Sequence, residues 1–260
     1  MQDVELQTGG GHSWLEAGDG PPLVLIHGIG GTTANWRPVL APLARGRRVL
    51  AWSFPGYDGA APLPSASPAA ADYALRLLDF LDQRDVGPAH MVGHSLGAVV
   101  VAALTQLAPD RASRLSLVCP VIGAGQLPPP VREEIRTARL TEIRDGGMAA
   151  FAEARTGAIV GPDATPGDLS RIIATMAGIS ASAYLQAWEM LCATYLPALL
   201  SPGTIPVQVM GCDADPVAPP DAVTALASHL SVEPVRLPGI GHFPTFEARD
   251  ALIALVTGQE

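Results

Sequence analysis

The sequence contains no lysine: all 16 of its basic residues are arginine. That excludes Schiff-base chemistry on a lysine amine and a phosphate loop closed by lysine. The arginines form no basic cluster, and the formal net charge is −9. Such a chain offers no electrostatic footprint for nucleic acid or for an anionic membrane, so neither is an expected partner. Cysteine is scarce: Cys119, Cys192 and Cys212 stand far apart and outside any C-x-x-C spacing. They exclude a disulfide framework and a zinc site, and read as small buried residues in a reducing compartment. No group of histidines and carboxylates has ligand spacing, so no metal is expected. No apolar run is long enough to cross a bilayer, and the start, MQDVELQTGGGHSW, lacks the basic end and apolar core of a secretory leader. The expected location is the cytoplasm.

What is abundant is apolar residue, 48% of 260 positions. That suffices for one large α/β domain with a sizeable core. Leu23–Ile26, Arg48–Trp52, Ala89–Val92 and Leu115–Val118 are short apolar runs that read as buried strands. Between them, Ala69–Arg84 spaces Tyr73, Leu77, Leu78 and Leu81 at helical intervals, and Leu96–Ala108 reads as a helix stopped by Pro109. Buried strands alternating with helices predict a parallel sheet covered on both faces, joined by right-handed crossovers. The alternation stops after Pro120. Residues 121–200 show no buried strand but several helical stretches: Val131–Asp145, Met148–Arg155, Leu169–Met176 and Ala183–Tyr195. Strands resume at Pro206–Met210 and Val232–Leu237, followed by a helix from about Arg249 to Val256. The expected organisation is a core domain, residues 1–120 and 201–260, interrupted by a helical insertion, residues 121–200.

At the end of one predicted strand stands Gly93-His94-Ser95-Leu96-Gly97, with a predicted helix directly after it. Alone, a serine between two glycines is equally a helix cap or a turn residue. Strand before and helix after are what a nucleophile elbow requires, and a side chain at 93 or 97 would collide with neighbouring backbone. Such an elbow projects Ser95 at the C-terminal edge of the sheet, beside a helix N-terminus.

A serine hydroxyl needs a base. Of six histidines, His242 lies in a glycine-containing loop after the last predicted strand and is the candidate. His12 and His229 read as surface or packing residues, His90 begins a strand, His27 belongs to a glycine-rich loop, and His94 is expected to point away from the serine. The imidazole in turn needs an orienting carboxylate. Asp213 and Asp215, in Gly211-Cys-Asp-Ala-Asp-Pro-Val-Ala-Pro, both follow the strand ending at Met210. His27-Gly28-Ile29-Gly30-Gly31 follows the first predicted strand and can turn an N–H toward the serine, with the Leu96 N–H as the second oxyanion donor.

These segments resemble the α/β-hydrolase superfamily over nearly the whole chain. The stretches that carry the resemblance are HGIGG with Asn35-Trp36 downstream, GHSLG, DADPVAPP and PGIGHFPTFE. The resemblance implies a mostly parallel central sheet flanked by helices, with residues 121–200 as a helical cap. It implies Asp215 as the acid, because family members carry a D-x-x-V-x-P-like segment there, and a catalytic triad of Ser95, Asp215 and His242. It implies Ile29 and Leu96 as the oxyanion donors. One segment departs. The family's D-x-P-G-x-G-x-S loop here reads Ser53-Phe-Pro-Gly-Tyr-Asp-Gly-Ala, with Ser53 for Asp, Asp58 for Gly and Ala60 for Ser.

Trp188, Met190, Tyr184 and Met176 are candidates to line a pocket under the cap, though each also reads as packing between helices. Trp36, Trp188 and Phe243 are the expected substrate contacts. A serine at 95, rather than an aspartate, argues against dehalogenase or epoxide-hydrolase chemistry. The resemblance to small esterases and enol-lactonases implies a small-molecule ester or lactone substrate and no cofactor. Alternatives within the same resemblance are a C–C bond hydrolase of ring-cleavage dienones, a thioesterase, and a small-molecule receptor that keeps the triad. No segment assigns an oligomeric state.

Overall fold

In the computed structural model, each apolar run read as a strand pairs into one sheet. The structure describes residues 4–258; residues 1–3 and 259–260, the two ends of the expected core, lie outside it. In chain order the strands are β1 (Gln7–Gly9), β2 (His12–Ala17), β3 (Pro22–Ile26), β4 (Arg48–Trp52), β5 (Ala89–His94), β6 (Ala112–Val118), β7 (Val207–Cys212) and β8 (Val235–Leu237). The helices are α1 (Arg37–Leu43), α2 (Ala70–Gln83), α3 (Leu96–Leu107), α4 (Pro129–Thr156), α5 (Pro166–Ala177), α6 (Ala181–Ala193), α7 (Pro220–His229), α8 (Pro244–Glu247) and α9 (Arg249–Thr257). Among the described residues no helix is long and apolar enough to cross a membrane.

The sheet order is β1-β2-β4-β3-β5-β6-β7-β8. From β4 to β8 every pairing is parallel; β1 and β2 run antiparallel at one edge. Leu23, Val24, Leu25 and Ile26 are fully buried, as a central strand covered on both faces requires. The chain moves one way from β3 to β4 and the other way from β4 to β5. Right-handed crossovers in opposite directions put α1 and α2 on opposite faces. The same reversal opens a crevice beyond the C-terminal ends of the central strands, where ligands of such sheets bind.

The first two strands were not legible as strands. Gln7–Gly9 is exposed and polar, and its only support is pairing with β2 across Gly10 and Gly11, both at positive φ (57° and 80°). β8 is shorter than expected because Pro234, which has no N–H, precedes it. Between β6 and β7 lie helices α4, α5 and α6, and α4 packs on the other two. The two helices expected over 131–155 run together as α4, broken only at Gly147 (φ 73°, ψ 168°). The helix expected to reach Tyr195 ends at Ala193.

Candidate active site

β5 delivers the serine. Ser95 sits between β5 and α3 at φ 55° and ψ −117°, a backbone conformation that L-residues rarely adopt. The turn is this sharp because both flanking glycines touch backbone. A Cβ on residue 97 would lie 2.3 Å from the Ile26 carbonyl oxygen, and one on residue 93 would lie 2.6 Å from the Ala98 nitrogen. Leu96 is the first residue of α3, so its N–H has no intrahelical partner and faces the same end of the helix as the hydroxyl.

Ser95, His242 and Asp215, distant in sequence, meet at this edge. The Ser95 hydroxyl is 2.9 Å from His242 Nε2, and His242 Nδ1 is 2.7 Å from Asp215 Oδ2. All three residues are buried. With Nδ1–H donating to the carboxylate, Nε2 is the acceptor that faces the serine. The second Asp215 oxygen accepts from the Val217 and Ala218 N–H groups at 2.8 and 3.1 Å. Burial alone would raise the Asp215 pKa, but His242 and these two N–H groups outweigh it and hold the carboxyl below its ordinary value. Asp213 points elsewhere: it pairs with Arg236 at 2.7 Å on the surface.

His94 does not turn away from the site as expected. Its ring centroid lies 5.0 Å from that of His242, and its Nε2–H donates to the His242 carbonyl at 2.7 Å. Burial, then the neighbouring His242, pushes its pKa down to about 3, so it is neutral at physiological pH. Glu247 is a further support that the motif reading missed. One of its oxygens accepts from Gly161 and Gly241 N–H, at 2.6 and 3.0 Å, and the other from Phe243 N–H at 3.0 Å. The His242 N–H also donates to the Ile159 carbonyl at 2.7 Å. The histidine loop is thereby held between α8 and the segment after α4.

The glycine-rich loop after β3 lies against the serine. A Cβ on Gly28 would come within 2.8 Å of Ser95 Cβ. His27 is not aimed at the site. Its Nδ1–H donates to the Gly28 carbonyl and its Nε2 accepts from the Phe54 N–H, while burial lowers its pKa to about 4. The Tyr57 hydroxyl donates to the Ile29 carbonyl at 3.0 Å, which fixes the peptide next to the Ile29 N–H.

The departure at residues 53–60 proves to be a relocation of the carboxylate. Asp58 Oδ2 accepts from Ser53 Oγ at 2.9 Å, Thr33 Oγ1 at 2.9 Å and Thr33 N–H at 3.0 Å. The loop after β4 is thus tied to the loop after β3, with Asp58 at φ 48°. Asp58→Ala is expected to cost about 2–4 kcal/mol, from hydrogen bonds to a charged acceptor. For a chain of this length that lowers the melting temperature by about 5–10 °C. A melting curve that does not move would show that these bonds contribute nothing.

A narrow pocket opens over Ser95 and His242. Its walls include Ile29, Met176, Tyr184, Trp188 and Phe243, so four of the six aromatic or methionine candidates line it. Trp36 and Met190 do not. Trp36 is 1% exposed and packs in the core, and Met190 is fully buried between helices. Arg155, which no motif singled out, is also part of the wall. A larger open groove of about 1160 Å³ lies by Ser113, Arg114 and Val207, at the opposite ends of β6 and β7, and holds none of these groups. His94, Cys119 and His242 have ligand atoms within 4.8 Å of one another. Both His242 nitrogens and His94 Nε2 are already hydrogen-bonded, and the Cys119 thiol lies 3.4 Å from that of Cys212, so the cluster offers no complete ligand set.

Residues 23–255 match the model of the alpha/beta hydrolase family. The chain belongs to that family. Over 107 residues it is 38% identical to the dihydrolipoyllysine-residue acetyltransferase component of the acetoin cleaving system of Pseudomonas putida, covering 40% of this chain and 29% of that protein. Over 105 residues it is 27% identical to the (E)-2-((N-methylformamido)methylene)succinate hydrolase of Acinetobacter baylyi, 40% of each chain. These matches span well under two thirds of the relatives' own lengths. Among solved structures, the enol-lactonase of Burkholderia xenovorans superposes with a TM-score of 0.84 at 22% identity, over 98% of this chain and 99% of that one. An esterase from Thermogutta terrifontis superposes with a TM-score of 0.81 at 20% identity, over 98% and 96%. At these identities the superpositions show the shared hydrolase fold.

Proposed function

We propose that this member of the alpha/beta hydrolase family is a serine hydrolase of small carboxylic esters or lactones. The observation that carries the reading is the unbroken relay from Asp215 through His242 to Ser95, at 2.7 and 2.9 Å, on the floor of a mainly apolar pocket. Ser95 Oγ attacks the carbonyl carbon as His242 Nε2 takes its proton. Asp215 keeps the imidazole in the tautomer that can accept, and stabilises the imidazolium that forms. The Ile29 and Leu96 N–H groups receive the oxyanion, each worth about 3 kcal/mol of barrier. His242 then protonates the leaving oxygen, and water releases the acid from Ser95 by the same steps in reverse. These groups suffice for every step.

Helices α4, α5 and α6 act as the cap. Met176, Tyr184 and Trp188 from this segment roof the cavity, limiting substrate size and excluding bulk water. The names of two similar proteins, an enol-lactonase and a substituted-succinate hydrolase, agree with a small substrate.

The test is twofold. The purified protein is assayed against short p-nitrophenyl esters, an aryl ester, a simple lactone, a thioester and a ring-cleavage dienone. It is also titrated with a fluorophosphonate. Turnover of the ester or lactone class, with one phosphonate per chain on the peptide that carries Ser95, is the expected result. Turnover of the dienone alone would move the reading to C–C bond hydrolysis. Inertness to the whole panel, with tight retention of a ligand, would favour a receptor.

A further inference from the structure

Arg155 stands in the last turn of α4 and lines the same cavity as Ser95. It is half-buried, and among the described residues its guanidinium has neither a carboxylate within ion-pair distance nor a hydrogen-bond acceptor. Other half-buried arginines have a partner: Arg48 meets Glu16 at 2.8 Å, Arg84 meets Glu16 at 3.2 Å and Arg139 meets Glu142 at 3.2 Å, while Arg47, Arg114 and Arg132 donate to neutral acceptors on His90, Gln208 and the Gly125 carbonyl. The anions that act on Arg155 from a distance are engaged elsewhere, Glu142 with Arg139 and Asp215 with His242. Burial, and then repulsion from Arg139, push the Arg155 pKa below its ordinary value. Arginine nonetheless stays charged at any pH a protein meets. A chain of net charge −9 therefore carries an uncompensated cation in the wall of its substrate cavity.

We propose that Arg155 is a carboxylate subsite, and that the substrate is a small ester or lactone bearing a second, free carboxylate. The inference rests on the serine hydrolase reading of the same cavity. A half-buried guanidinium without a partner in the fold gains most from an anion brought by the ligand, and its planar fork matches a carboxylate with two parallel hydrogen bonds. Tyr184 adds a second donor. Its hydroxyl accepts from Arg139 at 3.1 Å and has its own proton to give. Val121, Ile159 and Leu191 form apolar wall suited to the short chain between the two carbonyl carbons. The fixed carboxylate would also set which carbonyl is presented to Ser95.

The experiment compares a neutral and an anionic ester of matched length, 4-nitrophenyl pentanoate and mono-4-nitrophenyl glutarate, with the spontaneous rates subtracted. kcat/KM is measured for the wild type, Arg155→Met and Arg155→Lys. The expected result is a preference for the anionic ester that falls about 10- to 100-fold in Arg155→Met, mainly through KM, with part retained by Arg155→Lys. In parallel, calorimetry measures binding of glutarate monomethyl ester to Ser95→Ala and to the Ser95→Ala/Arg155→Met double variant. An affinity at least about tenfold weaker in the double variant is expected. Circular dichroism verifies that each variant is folded, and Arg155→Lys carries the comparison if Arg155→Met is not. An anionic-to-neutral ratio that no substitution at 155 alters, with equal calorimetric affinities, overturns the subsite and leaves the hydrolase reading standing. If no ester is turned over but binding still depends on Arg155, the hydrolase reading fails and the subsite stands.

Discussion

Ser95→Ala is expected to lower kcat on any ester the protein hydrolyses by about 10⁴- to 10⁶-fold. The alanine removes the hydroxyl that lies 2.9 Å from His242 Nε2, the proposed nucleophile, and leaves the rest of the site in position. What survives is catalysis by the oxyanion donors and by binding alone, about 10³- to 10⁴-fold over water. KM should change little, because the cavity walls are untouched. Since the side chain is small and the glycines at 93 and 97 set the turn, the variant should melt close to the wild type. Steady-state kinetics with a matched melting curve checks both points. A variant with more than a few per cent of wild-type kcat would mean that the nucleophile lies elsewhere.

Asp215→Asn should cost about 10⁴-fold in kcat, for a reason specific to this geometry. Asp215 Oδ1 accepts from two backbone N–H groups, Val217 and Ala218. An asparagine there must keep its carbonyl oxygen on those donors, which turns its NH₂ group toward His242 Nδ1. The imidazole then carries its proton on Nε2, facing Ser95, and cannot act as a base. The substitution also has a pH signature. The native carboxyl titrates below its ordinary value, so it contributes stability that is fully present above the unfolded carboxylate pKa of about 4 and is lost as pH falls through the lower folded value. Asp215→Asn lacks that contribution, so its melting temperature should fall less steeply than the wild type's as pH drops from about 5 to about 3. Parallel acid limbs would show that the His242 and backbone bonds do not stabilise the carboxylate, and near-normal turnover would remove Asp215 from the relay.

Much of the arrangement is written locally. Leu23–Ile26 is apolar in every position and ends in a glycine-rich loop, and a short run of that kind is satisfied by burial on both faces of a sheet. Gly93 is required by backbone of the same turn, at Gly97 and Ala98, whereas Gly97 makes room for the Ile26 carbonyl of a distant strand; the elbow was legible from the strand before the motif and the helix after it. The chain order of Ser95, Asp215 and His242 followed from strand ends, which a parallel sheet necessarily gathers at one edge.

Other features were decided only by docking of distant segments. Trp36 has the same local signature as a pocket residue but is sealed in the core, and His94, next to the serine, turns out to brace the histidine 148 positions away. Asp58 replaces a glycine and looks like damage to a loop until Ser53 and Thr33 are seen to converge on it. Glu247 and Cys119 likewise acquire partners, at Gly161 and at Cys212, that no spacing relates to them. Arg155 is one of many arginines in the sequence, and its missing counter-ion is a property of the folded cavity. Hydrophobic period and backbone sterics act over a few residues and can be read along the chain, whereas burial and hydrogen-bond partnership of a polar side chain are set by whatever the fold brings within about 3 Å of it.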